Sequence, residues 1–540
     1  MQAKDRIKRA LQIILEAGYQ VTPEALKAFS HYENPEELAK ELILKIEENS
    51  ENIIVIDDKY INLLEEKYAI GSEIEKTKPQ ETHEQIGEKT KTEVTAEKTQ
   101  EVSSKITKST ESSTTTSQAL LTQESPKRYL AKDIDAKFEV IFNPTGVIKS
   151  KGTLDDFINY FIDRYKRIYN IIIKRGDIED ISKLSKITSS KDKQVHIIGM
   201  VTSIQKTKSG NVLLELEDLE STVKAIIYEK NSELLKKAEY IMLDQVMCFK
   251  GYLSNDIFNV SDFLWPDIPL KNERNKASEP VCAAFISDTH FGSKHFLIDS
   301  FKRFVQWLRG EIGDEKSREL AGRVKYLLIA GDIVDGVGVY PTQEEDLLVT
   351  NIYEQYELAA KHLEDIPEHI KTIAIPGGHD ATRIALPQPA IPKEYAEPLY
   401  EIGIEMLGDP AQIRIHDIEV LMYHGESLND VMAAIPIDKT KPHRAMMELI
   451  KGRHLSPIYG NTAIAAEPQD WLVIERVPDI LHCGHIHIND TGSYRGVILL
   501  NSGTFQAQTA YQKSMGLEPT PAKPIILDLE SHKVTELNFL

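Results

Sequence analysis

The chain has 540 residues, room for three or four units of about 150 residues apiece, and its 41% hydrophobic content supplies at least one large core. Lys and Arg total 64 against 84 Asp and Glu, a net charge of −20. That excludes a globally basic nucleic-acid binder, so any contact with nucleic acid must come from a local patch, a metal centre or a partner subunit. Cys248, Cys282 and Cys483 form no CxxC pair, which argues against a disulfide scaffold or zinc ribbon and fits a reducing, cytosolic compartment. No apolar run approaches about 18 residues and the N-terminus shows no cleavable apolar region, so no membrane partner is expected.

Residues 1–70 carry helical periodicity in two places, Ile7, Ala10, Leu11, Ile14 and Leu15, then Leu38, Leu42, Ile43 and Ile46, with Thr22-Pro23 as a helix start between them. They predict a small N-terminal helical domain for protein–protein contact. Residues 71–127 are rich in Glu, Lys, Thr and Ser and lack aromatics, the composition of a disordered linker that cannot offset the entropy of ordering. Residues 128–190 read as a helical connecting region. It holds a short strand, Phe138 to Phe142, and a helix with Leu154, Phe157, Ile158, Phe161, Tyr165 and Ile168 on one face, where Thr153, Asp155 and Asp156 suit the helix start. Residues 191–270 change to strand periodicity, with five strands, one inserted helix and Gly199 at a bend. This predicts an OB-fold barrel, a frame used both for single-stranded nucleic acid and for docking. Trp265 and Trp307 are expected as packing residues.

From 281 to 540 one arrangement recurs: an apolar run ends in Asp, His or Gly and a loop follows. VCAAFISDTHFG delivers Asp288 and His290, VKYLLIAGDIVDG delivers Asp332 and Asp335, TIAIPGGHDATR delivers His379 and Asp380, EVLMYHGES delivers His424, and DILHCGHIHIND delivers His485 and His487. Short buried strands separated by helices predict a layered α/β domain, in which ligands bind outside the carboxyl ends of the strands. Asp288 and His290, two apart at a strand end, can face one side, as can His485 and His487, and Gly484 lets the backbone come close. Mixed Asp and His donors without thiolate suit first-row divalent metals.

The series DTH, GDIVDG, GGHD, YHG and GHIH resembles the calcineurin-like metallophosphoesterase superfamily. The segments GDIVDGVGVYP, PQPAIPKEYAEPLYE, KPHRAMMELIKGRHLSPIYGNT and TFQAQTAYQKSMGLEPTPAKP, with the preceding barrel and helix, resemble more closely the small subunits of archaeal family-D DNA polymerases over about 130–540. The resemblance implies a multidomain α+β protein, an OB-fold β-barrel plus a layered α/β metallophosphoesterase domain. It also implies a proofreading 3′→5′ DNA exonuclease, cytoplasmic and nucleoid-associated in an archaeal cell, that acts on DNA with a 3′ end and is bound to a large catalytic polymerase subunit in a heterodimer or higher assembly. By the superfamily pattern, Asp288, His290 and His487 hold one divalent metal ion, His424 and His485 the other, and Asp332 bridges. Manganese is the expected ion, with zinc or iron as alternatives. His379 is the catalytic residue beside the scissile phosphate. Two such ions acidify a shared water and clamp the phosphate for in-line attack, releasing a 5′-nucleotide.

One position departs from the pattern. Gly378 stands where the superfamily has an asparagine ligand, which predicts weakened occupancy of the second metal. Asp335 and Asp380 are candidates for holding a ligating residue or capping a loop, and Arg383 for a phosphate contact. Cys483 is expected as a small buried hydrophobe. The alternative to the nuclease is a catalytically weakened or inactive scaffold of the B-subunit type, which Gly378 favours. A generic small-molecule phosphodiesterase is a third reading, opposed by the polymerase-like segments.

Overall fold

A computed structural model of the chain describes residues 130–187, 193–514 and 516–540, together with 9–11, 13–14, 17, 20–21, 34–48 and 55–56. The chain divides into Met1–Ser117 and Gln118–Leu540. In the first unit the helix Pro35–Glu48 buries Leu38, Leu42 and Ile43, and Gln20–Val21 pairs in parallel with Val55–Ile56. Most of the helical domain expected over 1–70, Thr22-Pro23 included, and the linker expected over 71–127 lie outside the described residues.

The second unit is mixed α+β. Val195–Lys206, Val212–Glu217, Thr222–Ile227, Ile257–Leu264 and Val246–Ser254 are neighbours in that order, and the last pairs back with the first to close a five-stranded barrel. The inserted helix, Ser232–Ala238, is capped by Asn231. The first strand reaches both edges because it is 12 residues long and shifts register between Val201 and Ser203, a bulge that supplies the bend expected at Gly199.

Beyond the barrel, two six-stranded sheets lie face to face. One has the order Glu405–Met406, Lys371–Ile375, Val324–Ala330, Cys282–Ile286, Ile525–Asp528 and Val534–Glu536. The other has the order Asp490–Tyr494, Val497–Asn501, Ile480–Cys483, Ile418–Met422, Ala411–Ile415 and Phe138–Phe142. Strand alternation explains the unbroken apolar runs: Cys282, Ala284 and Ile286 pack under helices while Ala283 and Phe285 face the opposite sheet. Helices Ile298–Leu308 and Ile352–Leu363 cover the first sheet, and Leu428–Ala434 and Pro442–Gly452 cover the second. Trp265 and Trp307 are buried, as is Cys483. No helix among the described residues is long and apolar enough to cross a membrane.

Two local readings change. Phe138–Phe142, read within the connecting region, is the edge strand of the second sheet through pairing with Ala411–Ile415. The helix Leu154–Ile173 is capped reciprocally by Thr153 and Asp156, but its buried face runs through Tyr160, Arg164, Tyr165, Ile168 and Ile172, whereas Leu154 and Ile158 are exposed. Tyr160 packs on the second sheet's helices, and Tyr165, Ile168 and Ile172 pack against barrel residues Ile198, Val246 and Cys248, so this helix joins barrel to sandwich.

Candidate metal centre

Cys282–Ile286, Val324–Ala330 and Lys371–Ile375 run parallel in one sheet, and Ile418–Met422 and Ile480–Cys483 run parallel in the other. The loops at their carboxyl ends converge on one rim, where His290 Nε2 and His487 Nε2 lie 3.1 Å apart and Asp288 Oδ1 lies 3.2 Å from His487 Nε2. Asp332 Oδ2 is 3.8 Å from His290 Nε2 and 3.3 Å from His424 Nε2, between two groups of donors. The first group is Asp288, His290, Asp332 and His487. The second is His424, Glu426 and His485, and within each group the donor atoms lie within 4.8 Å of one another.

The backbone that aims these side chains is strained. Asp288, His290, Asp332, His485 and His487 all have φ between 50° and 65°, a left-handed conformation costing roughly 1–3 kcal/mol for a residue with a Cβ. Strand alternation therefore does not bring Asp288 and His290, or His485 and His487, to one side. The strands stop at Ile286 and Cys483, and left-handed turns do it instead. At Gly484 a Cβ would meet Asp288 Oδ2 at 2.5 Å, so only glycine lets the backbone pass this close to that carboxylate.

Three of the imidazoles are gripped at one ring nitrogen. His424 Nδ1 is 2.7 Å from the Ala330 carbonyl, His487 Nδ1 is 2.8 Å from the Gln512 amide and His485 Nε2 is 2.9 Å from the Asn429 amide, while His290 Nδ1 lies 3.0 Å from Asp335 Oδ1 without a hydrogen bond. Holding one nitrogen fixes ring orientation and leaves the other for a ligand, the arrangement found behind metal-bound histidines. His379 is placed beside them. Its Nδ1 is 2.6 Å from the Asp335 carbonyl, its backbone N–H donates to Asp332 Oδ1 at 2.9 Å, and its ring meets that of His290 edge-on with centroids 4.7 Å apart.

Charge is coupled across the rim. Burial works to raise the pKa of Asp332, but His424, His379 and His290 overcome it and hold the carboxylate well below its ordinary range. Burial likewise opposes charge on His424 and His379, yet Asp332 raises both pKa values above the usual histidine range. For His290 and His485 burial prevails and their pKa values are lowered.

The lesser candidates separate cleanly. Asp335 backs His290 and also accepts from Gln506 Nε2 at 2.9 Å. Asp380 caps loops: it accepts the backbone N–H groups of Gly377 (3.0 Å), Ile333 (3.2 Å) and Val334 (3.4 Å) and the Tyr356 hydroxyl (3.1 Å), tying two rim loops together. Burial and then Asp332 push its pKa up to about 6. Arg383 donates from Nε and Nη2 to the carbonyls of Ala385 and Pro387 and to Glu467. Sequence reasoning missed Glu426, Gln512 and Asn429, and also the stacked pair Tyr340–Tyr511, 5.6 Å between centroids, whose Tyr340 lies 6.3 Å from His379. Only Glu426 left a trace, as a carboxylate two residues past His424.

The donors fit divalent cations. All are nitrogen or oxygen, and His424 Nε2, Glu426 Oε1 and Asp335 Oδ2 are buried without a hydrogen-bond partner. A cleft of about 830 Å³ between the barrel and helix Leu428–Ala434, lined by Leu235, Met242, Asp430 and Ala434 among others, contains none of the rim residues.

Residues 283–490 match the family of B-subunits of DNA polymerases alpha and epsilon. The chain is 43% identical over 385 residues to the DNA polymerase II small subunit of Archaeoglobus fulgidus, covering 71% of this chain and 77% of that one. It is 41% identical over 407 residues to the DNA polymerase II small subunit of Methanothermobacter thermautotrophicus, covering 75% and 84%. A solved archaeal phosphodiesterase aligns at 15% identity and a TM-score of 0.24, over 48% of this chain and 99% of that one.

Proposed function

The chain belongs to the family of archaeal DNA polymerase II small subunits, and from that premise we propose that its rim is a two-metal phosphodiesterase site that removes nucleotides from the 3′ end of DNA beside a large polymerase subunit. The observation that carries the reading is the set of four imidazoles, three of them held at one nitrogen, converging with Asp288 and Asp332. Asp288, His290 and His487 would hold one cation, His424 and His485 the other, with Asp332 between them. Divalent ions, manganese first and zinc or iron otherwise, supply charge that polarises a phosphodiester and acidifies nearby water when bound.

His379 is the proton carrier. Its Nδ1–H is committed to the Asp335 carbonyl, which leaves Nε2 as the ring nitrogen to pass a proton to the departing 3′ oxygen. The tyrosine pair beside it offers an aromatic face on which a terminal base can stack. The barrel has the strand order of an OB-fold. With a net charge of −20, the chain relies on its large partner for much of the surface that grips the DNA backbone.

Gly378 favours a second reading, a scaffold that binds the polymerase without cleaving DNA. Incubation of the chain, with and without the large subunit, on 3′-mismatched primer–template with manganese separates the two. Stepwise loss of 3′ nucleotides, reduced about 10²-fold or more in His379→Ala, supports the nuclease. No cleavage with manganese, zinc or iron while the complex still forms supports the scaffold.

A further inference from the structure

Gly378 has no side-chain oxygen to offer, but the space beside it is filled. A Cβ at Gly378 would stand 2.7 Å from Glu426 Oε1. The carboxylate thus occupies the direction in which a side chain at 378 would project. Glu426 Oε1 is buried without a hydrogen-bond partner, and so is Nε2 of the fully buried His424. With His485 the two form a group whose donor atoms lie within 4.8 Å of one another. A buried carboxylate oxygen facing imidazole nitrogens, with no donor to satisfy it, is costly by itself and natural beside a cation.

We propose that Glu426 is a ligand of the second cation, reaching from the loop after strand Ile418–Met422 into the place that residue 378 leaves open, and that Gly378 is small because Glu426 needs the room. This rests on the two-metal reading above. It replaces a neutral amide oxygen with a charged one, so the second site keeps its ligand number and gains negative charge. The weakened occupancy expected from Gly378 alone is then no longer expected.

Manganese binding to the full-length chain, followed by electron paramagnetic resonance of the free ion and by calorimetry, tests this without reference to activity. The wild type should take up two ions, and Glu426→Gln should keep one while binding the other at least about 10-fold more weakly. Gly378→Asn alone should not strengthen the second site, since its side chain collides with Glu426, whereas Gly378→Asn combined with Glu426→Ala should recover the lost ion. That recovery also shows that the variants are folded. Two ions bound to Glu426→Gln with wild-type affinity would overturn the assignment, as would a single wild-type site that Glu426→Gln leaves unchanged. No manganese bound to the wild type at all would remove the two-metal reading itself.

Discussion

The rim and the ion cluster beneath helix Leu154–Ile173 are both buried and both charged, yet the second is closed on itself and the first is not. Arg164, fully buried, donates from Nε to Asp470 Oδ2 at 2.8 Å, from Nη1 to the Pro457 carbonyl at 2.8 Å and from Nη2 to the Tyr160 hydroxyl at 3.0 Å. Asp470 also meets His454 Nε2 at 2.8 Å and accepts the Leu472 backbone N–H at 3.0 Å. At the rim the protein instead anchors His424, His485 and His487 from behind and leaves His424 Nε2 and Glu426 Oε1 without a hydrogen-bond partner. Burial of charge alone therefore does not mark a site. A convergence of buried donors that the fold orients but does not satisfy does.

Substitutions should break the two clusters differently. The largest effect is expected for Asp332→Asn, which takes away the carboxylate between the two donor groups. Its loss of several kcal/mol of transition-state stabilisation is a rate reduction of roughly 10³-fold or more, read in a 3′-end cleavage assay, with the circular dichroism of EDTA-treated protein unchanged. At the closed cluster, Arg164→Met strands Asp470 in the interior and should cost about 3–5 kcal/mol in denaturant unfolding, to the same extent with EDTA or manganese present. An unfolding midpoint within error of wild type would contradict the pairing. Manganese itself should stabilise the wild type by about 2.7 kcal/mol at 100 times its dissociation constant, seen as a rise in melting temperature that EDTA reverses.

Acid sharpens the contrast. Burial, followed by the nearby Arg164, holds the His454 pKa down to about 4 despite Asp470. An unfolded histidine titrates near 6.5, so between these values the unfolded chain takes up a proton that the folded chain refuses. This contribution is intact above pH 6.5 and falls as pH drops toward 4, by on the order of 3 kcal/mol. Urea midpoints at pH 7 and pH 5 should diverge in the wild type and diverge less in His454→Gln. The smallest effect, about 1 kcal/mol, is expected for Thr153→Ala, which removes the cap of the helix carrying Arg164 while leaving both clusters' own contacts in place.

The convergence of donors at the strand ends was legible because each closes a short apolar run, and parallel strands must bring such ends to a common edge. Glu426 was not legible. An acid two residues past His424 looks like any loop carboxylate until Gly378, 48 residues earlier in the chain, is seen to face it. The face of helix Leu154–Ile173 was misjudged for a related reason. Apolar periodicity cannot signal that an arginine will be buried by an aspartate 306 residues away, nor that Leu154 and Ile158 are left outside. Phe138–Phe142 was recognisable as a strand, but its partner Ala411–Ile415 is supplied by tertiary structure alone. Local pattern located the donors, and what surrounds them is set by contacts distant in sequence.

Manganese-soaked crystals of the chain, measured at the metal's absorption edge, test most directly that the rim's bare donors are metal ligands. Anomalous peaks are expected on either side of Asp332, one among Asp288, His290 and His487 and one among His424, Glu426 and His485, with none at Arg164, Asp470 and His454. A rim without anomalous density at a saturating manganese concentration would contradict it.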